Sequence, residues 1–188
     1  GGNSGATTCA DINNDGHLDL VTGEIVHWDV GTCSDPAELL VNTGESAVRF
    51  ERPGNDMTGL ARSYDRVDWN EGIMTNAVLD FDNDGWLDVY LGDSDYPGTR
   101  GLLYHQDNPG HFTELPMADY FEHFRNHGVV PVDLDRDGDL DLVLGNSRMR
   151  CSGMSGADCY DEPRVRVFEN TLGASGNWIQ VRLEGGEG

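Results

Sequence analysis

Long apolar runs are missing from this chain, and no stretch approaches the ~20 consecutive apolar residues of a membrane-spanning helix. Cations are scarce as well. Twelve Lys and Arg stand against 34 Asp and Glu, a formal charge of −22 over 188 residues. Such a chain has no basic face with which to neutralise nucleic-acid phosphates. The four cysteines, Cys9, Cys33, Cys151 and Cys159, show neither the C-x-x-C spacing of zinc and redox sites nor a haem-attachment signature. There is no G-x-S-x-G elbow and no phosphate-cradling glycine loop, and no cysteine has the adjacent basic setting that lowers a thiol pKa. No window has the periodicity of a long amphipathic helix. Membrane-spanning helices, nucleic-acid partners and the commonest catalytic devices are set aside on these grounds.

What is present is glycine, 25 residues of it, beside 37% apolar residues. That balance suits many short strands joined by tight turns. One pattern is written three times: ADINNDGHLDLVTGE (10–24), LDFDNDGWLDVYLGD (79–93) and VDLDRDGDLDLVLGN (132–146). Aligned on the first aspartate, all three read D-x-[DN]-x-D-G-x-x-D. The motif residues are Asp11, Asn13, Asp15, Gly16 and Asp19; then Asp80, Asp82, Asp84, Gly85 and Asp88; then Asp133, Asp135, Asp137, Gly138 and Asp141. A solvated acidic exterior explains scattered acids such as Glu45, Glu51 and Glu114, but not like charges packed at every second position.

Oxygen donors at positions one, three and five with glycine at six are how a chain wraps a hard cation. Calcium takes six to eight oxygens at ~2.3–2.6 Å, and the glycine permits the sharp turn. The seventh residue (His17, Trp86 or Asp139) is expected to offer its backbone carbonyl, which explains why three unlike side chains stand there. Position nine closes the shell with a carboxylate. Magnesium, with its smaller octahedron and retained waters, fits less well. About three calcium ions are expected.

An EF-hand would need a bidentate glutamate at position twelve, where this chain has Thr22, Leu91 and Leu144. The segments after position eight, LDLVTG, LDVYLG and LDLVLG, are short, apolar and stopped by glycine. Those flanking the loops on the other side, ATTCAD, TNAVLD and VVPVD, are also strand-like. Each loop therefore joins two strands, with Leu18, Leu87 and Leu140 expected to enter the core beside an outward ligand. Further strands are expected at ELLVN (38–42), AVRFE (47–51), GLLYHQ (101–106), HFTEL (111–115), VRVFEN (165–170) and WIQVRLE (178–184). The fold class is thus all-β: about three four-stranded antiparallel blades. Propellers usually close with four to eight blades, so this reads as part of a larger β-propeller.

At this point the chain resembles a family. Three such loops between strands, each followed by an apolar strand and glycine, resemble the FG-GAP or VCBS repeats of integrin-alpha-like calcium-binding propellers. The end, VFENTLGASGNWIQVRLEGGEG, is similar to the junction with the ASPIC/UnbV segment of cartilage-acidic-protein-like secreted proteins. Asn13 departs from the aspartate preferred at position three. Residues 1–176 are then propeller blades, and 177–188 are the last strand and the start of an ASPIC/UnbV segment. The resemblance implies an extracellular, secreted or cell-surface module that recognises a protein or glycan ligand and uses calcium structurally, without catalysis of its own. The alternatives are a fragment of a propeller enzyme acting on polysaccharide, a lyase or glycosidase, and a structural subunit of a surface assembly.

An even cysteine count in such a chain favours disulfides and an oxidising compartment. Cys151 is expected to pair with Cys159 across CSGMSGADC, and Cys9 with Cys33 by default; four free buried thiols are the alternative. The residues following each second strand, His27 and Trp28, Asp95 and Tyr96, and Arg148, are expected to emerge on one side as a ligand face. Ordinary surface loops are the plainer reading of each one alone. His123 and His127 stand four apart, a spacing that would pair them on a helix, but no H-E-x-x-H pattern accompanies them.

Overall fold

The computed structural model describes residues 4–27, 37–60, 70–94, 100–116, 123–149, 151, 159–172, 179 and 181. The expected all-β class is borne out: three antiparallel sheets follow one another along the chain. The first is a meander of β1 (Ser4–Ala10), β2 (Asp19–His27), β3 (Glu38–Asn42) and β4 (Phe50–Glu51). A fifth strand, β5 (Asn70–Gly72), pairs with the far end of β2, Ile25 opposite Gly72. The second sheet is β6 (Asn76–Leu79), β7 (Asp88–Leu91), β8 (Leu102–Asn108) and β9 (His111–Glu114). The third is β10 (Asn126–Val132), β11 (Asp141–Asn146) and β12 (Val165–Phe168). The strand expected over 178–184, and with it the boundary at 176/177, lies outside the described residues apart from 179 and 181. Helix among the described residues is one turn, α1 (Asn55–Thr58), ended by Gly59 in the left-handed region (φ 76°).

Alternation with period two decides which residues fill the space between sheets. On β7 the side chains of Val89 and Leu91 enter a cluster with Ile12, Val21 and Leu39 of the first sheet and its loop. Tyr90, between them, enters a second cluster with Leu79, Leu103, Leu142 and Leu144, which joins sheets two and three. The middle sheet is therefore buried on both faces, which accounts for the unbroken apolar run VYL. Burial of Val89 or Leu91 contributes ~1.5–3 kcal/mol each.

Two expectations are corrected. AVRFE forms a strand only at Phe50 and Glu51, because Asn42 turns the chain early: its Oδ1 accepts the Gly44 N–H at 3.1 Å, and Gly44 takes φ 68°. A wide loop results, closed where Thr43 N–H donates to the Arg49 carbonyl at 3.0 Å. The pairing of Cys9 with Cys33 is not formed. Cys9 is a free thiol on the exposed side of β1, opposite Leu20, and Cys33 lies outside the described residues.

Cys151 and Cys159 are bridged as expected, with Cα atoms 5.7 Å apart. The bridge closes a short loop, so in the chain-entropy picture it contributes ~2–3 kcal/mol. Cys151→Ser should lower the urea-unfolding free energy by about that amount, and an unchanged midpoint would refute the assignment.

Candidate metal centre

Each acidic loop is built by its own carboxylates. At position one, Asp11 accepts the N–H groups of Asp15 and Gly16, both at 2.9 Å. Asp80 does the same for Asp84 at 3.1 Å and Gly85 at 2.9 Å, and Asp133 takes Arg136 N–H at 2.7 Å. At position three, Asn13, Asp82 and Asp135 each accept the N–H two residues on, at 3.1, 3.3 and 3.2 Å. At position five, Asp15, Asp84 and Asp137 hold the N–H of His17, Trp86 and Asp139 at 2.8, 2.8 and 3.2 Å. The chain is drawn round these oxygens by left-handed residues at positions four (Asn14, Asn83, Arg136) and six, where Gly16, Gly85 and Gly138 have φ 89°, 93° and 97°. Space around Gly16 and Gly85 is open, so glycine is required at those two positions by conformation alone.

Position nine corrects the expected orientation. Asp19, Asp88 and Asp141 are buried, at 0%, 0% and 2% exposure, whereas Leu18 is 60% exposed. Leu87 and Leu140 only flank the core clusters. Each aspartate uses both oxygens as a clip. One takes the N–H of position two (Ile12, Phe81, Leu134) at 3.1, 3.1 and 3.0 Å. The other takes an N–H arriving from the third strand region of the same sheet: Asn42, Gln106 and Asn170, each at 2.8 Å. Burial forces this exchange, because a carboxylate removed from water must find donors.

The three amides repay the clip. Asn42, Gln106 and Asn170 donate to the carbonyls of Leu18, Leu87 and Leu140 at 3.1, 2.7 and 3.3 Å. Gln106 and Asn170 also reach back to the preceding sheet's loop, at the carbonyls of Ile12 and Phe81. Forward links complement them: Asn14 donates to the Gly85 carbonyl and Asn83 to that of Gly138, both at 3.3 Å. The loops are thus joined in series. None of these amides stood out as a functional residue, although ELLVN, GLLYHQ and VRVFEN all end in Asn or Gln.

The electrostatics are those of crowded, partly dried acids. Burial raises Asp19, Asp80 and Asp135, and pushes Asp88 up to about 7. Asp139 is pushed up to about 6, first by burial and then by Asp137. Asp15 and Asp137 are lowered, chiefly by the N–H groups of His17 and Asp139. Two oxygen clusters have ligand atoms all within 4.8 Å of one another: Asp80 with Asp82 and Asp88, and Asp133 with Asp135 and Asp137. In the first loop Asn13 Nδ2 instead donates to Asp15 Oδ2 at 2.9 Å, placing a neutral amide where the others have a carboxylate. Asp139 is a second sign of a missing positive charge: it is 2% exposed, and its oxygens meet no backbone or amide donor, only the neighbouring carboxyl of Asp137. All-oxygen sites with such an orphan fit a hard cation.

The expected ligand face is only partly described. Trp28, Asp95 and Tyr96 lie outside the described residues, as does the side chain of His27, which closes β2 opposite Asn70. Arg148 is exposed, and its carbonyl accepts the Cys151 N–H at 3.1 Å. Beside it Asp93, 1% exposed, accepts the N–H groups of Arg125 and Asn126, and Ser147 N–H donates to the Arg125 carbonyl at 2.8 Å. The ends of β7, β10 and β11 therefore do meet. His123 and His127 form no helical pair, since His127 lies in β10. His123 is buried against Tyr160 and Phe168, and burial, aided by Arg166, lowers its pKa to about 4.

Comparison with known proteins agrees with this geometry. Residues 80–144, from the second loop to β11, match the FG-GAP-like repeat family. Over 92% of its length the chain is similar to cartilage acidic protein 1, with 26% identity to the Mus musculus protein over 179 residues. Identity is 27% over 186 residues for Xenopus tropicalis and 25% over 179 for Homo sapiens. The chain spans 23% of the length of these curated relatives. Two of the three acidic loops, with the strands between them, thus match the FG-GAP-like repeat family, within a chain similar along most of its length to cartilage acidic protein 1.

Proposed function

We propose that this chain is a calcium-stabilised part of an extracellular β-propeller that binds a protein or glycan and carries no catalysis of its own. The observation behind the proposal is the loop geometry itself. Three loops in register gather oxygens, and their position-nine carboxylates tie loop to sheet, so a cation bound there stiffens the blade. On this reading Asp11, Asn13, Asp15 and Asp19 serve the first ion, and Asp80, Asp82, Asp84 and Asp88 the second. Asp133, Asp135, Asp137 and Asp141 serve the third, and the carbonyls of His17, Trp86 and Asp139 complete the shells. The Cys151–Cys159 bridge supports an oxidising, extracellular setting. The relatives' name points to cartilage.

The working face is assigned to the loops beyond the second strands. Trp28→Ala, Tyr96→Ala and Arg148→Ala combined should abolish calcium-dependent capture of matrix proteins or glycans while the melting temperature stays within about 2 °C. Surface substitutions away from buried networks rarely exceed ~0.5 kcal/mol each. Capture by the triple variant at wild-type strength would move the site to another face. Capture that persists in chelator would separate binding from the ions.

A further inference from the structure

The three clipped amides occupy equivalent places. Asn42, Gln106 and Asn170 each give an N–H to the position-nine aspartate and a side-chain amide to the carbonyl of position eight. The residues just before them are therefore equivalent too: Val41, His105 and Glu169. An imidazole stands there in the second sheet alone. His105 Nε2 is shut off from solvent and makes no aligned hydrogen bond, yet Asp82 Oδ2 lies 3.3 Å away and Asp84 Oδ2 3.5 Å away. Across the ring, Nδ1 lies 3.4 Å from Asp107 Oδ1. A carboxylate behind one ring nitrogen is the usual device for fixing the tautomer and presenting the other nitrogen's lone pair to a metal. Phe81 packs against the imidazole with ring centroids 5.8 Å apart, which limits its rotation.

We infer that His105 makes the second loop a zinc-class site, in which Asp82, Asp84 and His105 Nε2 bind a divalent transition cation that loops one and three do not take. The inference rests on the reading of the loops as cation sites. The spacing fits. At zinc bond lengths of about 2.0–2.1 Å, adjacent ligand atoms lie roughly 3.3–3.4 Å apart in a tetrahedral shell and roughly 2.8–3.0 Å in an octahedral one, so the 3.3 and 3.5 Å separations suit a tetrahedral site. The donor set fits as well. Calcium is hard and seeks oxygen, so it gains little from an imidazole nitrogen, whereas zinc readily combines imidazole with carboxylate. The second loop is therefore where zinc competes with calcium.

The 188-residue chain should be titrated with Zn²⁺ by calorimetry, and with Co²⁺ as an absorbing stand-in, alongside His105→Val and His105→Asn. Wild type should bind Zn²⁺ at least about tenfold more tightly than either variant, by analogy with the 10–100-fold losses seen when metal-supporting residues are removed. Calcium binding at loops one and three should be unchanged in the variants. Nitrogen-15 spectra of wild-type histidines guard against misfolded variants: Zn²⁺ should shift His105 Nε2 strongly. Equal zinc affinity in all three proteins, or a zinc-induced shift confined to His111, would overturn the inference. If calcium binds but zinc leaves His105 unmoved, this inference alone fails. If neither ion binds, the cation reading of all three loops fails with it.

Discussion

Asp88→Ala should destabilise the protein by about 2–5 kcal/mol, the largest loss expected from any single acid in the loops. The side chain is fully buried and takes N–H groups from Phe81 and Gln106. Truncation leaves both donors dry, at ~1–3 kcal/mol apiece. Against that stands relief from burying a carboxyl whose pKa burial has raised to about 7. At pH 5 the carboxyl is mostly neutral, the relief is small, and the lost acceptors dominate. Asp88→Asn retains one carbonyl oxygen and should lose about half as much. Asp84→Ala, in the exposed rim of the same loop, should change metal-free stability far less. Urea unfolding at pH 5 with chelator is the measurement. A variant midpoint equal to wild type would mean that the two N–H groups find other acceptors and that Asp88 does not hold the loop to β8.

Much of this arrangement was legible in the residues. Aspartates at alternate positions with glycine at six fix the loop, and the apolar runs after position eight fix the second strands. The orientation of position nine was not legible. In Leu18-Asp19, Leu87-Asp88 and Leu140-Asp141 either neighbour can face inward, and hydrophobicity favours the leucine. The decisive donors arrive from Asn42, Gln106 and Asn170, far along the chain, so only the paired sheet reveals that the aspartate is satisfied inside. The same distance hid His105, whose relation to Asp82 and Asp84 arises only when β8 pairs with β7. AVRFE has good strand composition, but the Asn42 side chain spends its oxygen on Gly44 and opens the hairpin. Pairing Cys9 by default carries no geometric content, and Cys9 is a free thiol.

Removing calcium should lower the melting temperature by about 5–20 °C. Extracellular sites bind calcium with dissociation constants of ~10⁻⁴–10⁻³ M. At about 2 mM ion, mass action then contributes ~0.6–1.8 kcal/mol per site, or ~2–5 kcal/mol for three. For a domain of this size each kcal/mol moves the midpoint by about 2–4 °C. The pH dependence gives the effect a second signature. Without an ion, the folded chain holds a proton on Asp88 up to about 7, whereas the unfolded chain releases it near the ordinary value of 3.8. The folded state therefore binds more protons between those limits, and metal-free stability should fall as pH rises through that window. A bound cation displaces the proton and should flatten the slope, releasing protons as it binds. Sites two and three present four motif aspartates each, and site one three with the neutral Asn13. Affinity follows ligand charge, so site one should empty first. Asp82→Ala and Asp135→Ala should each cost more of the calcium-dependent stability than Asn13→Ala. Calorimetric melts with chelator and with calcium, from pH 5 to 8, test all of this together. Superimposable curves would show that the carboxylates are held by backbone amides alone, without an ion.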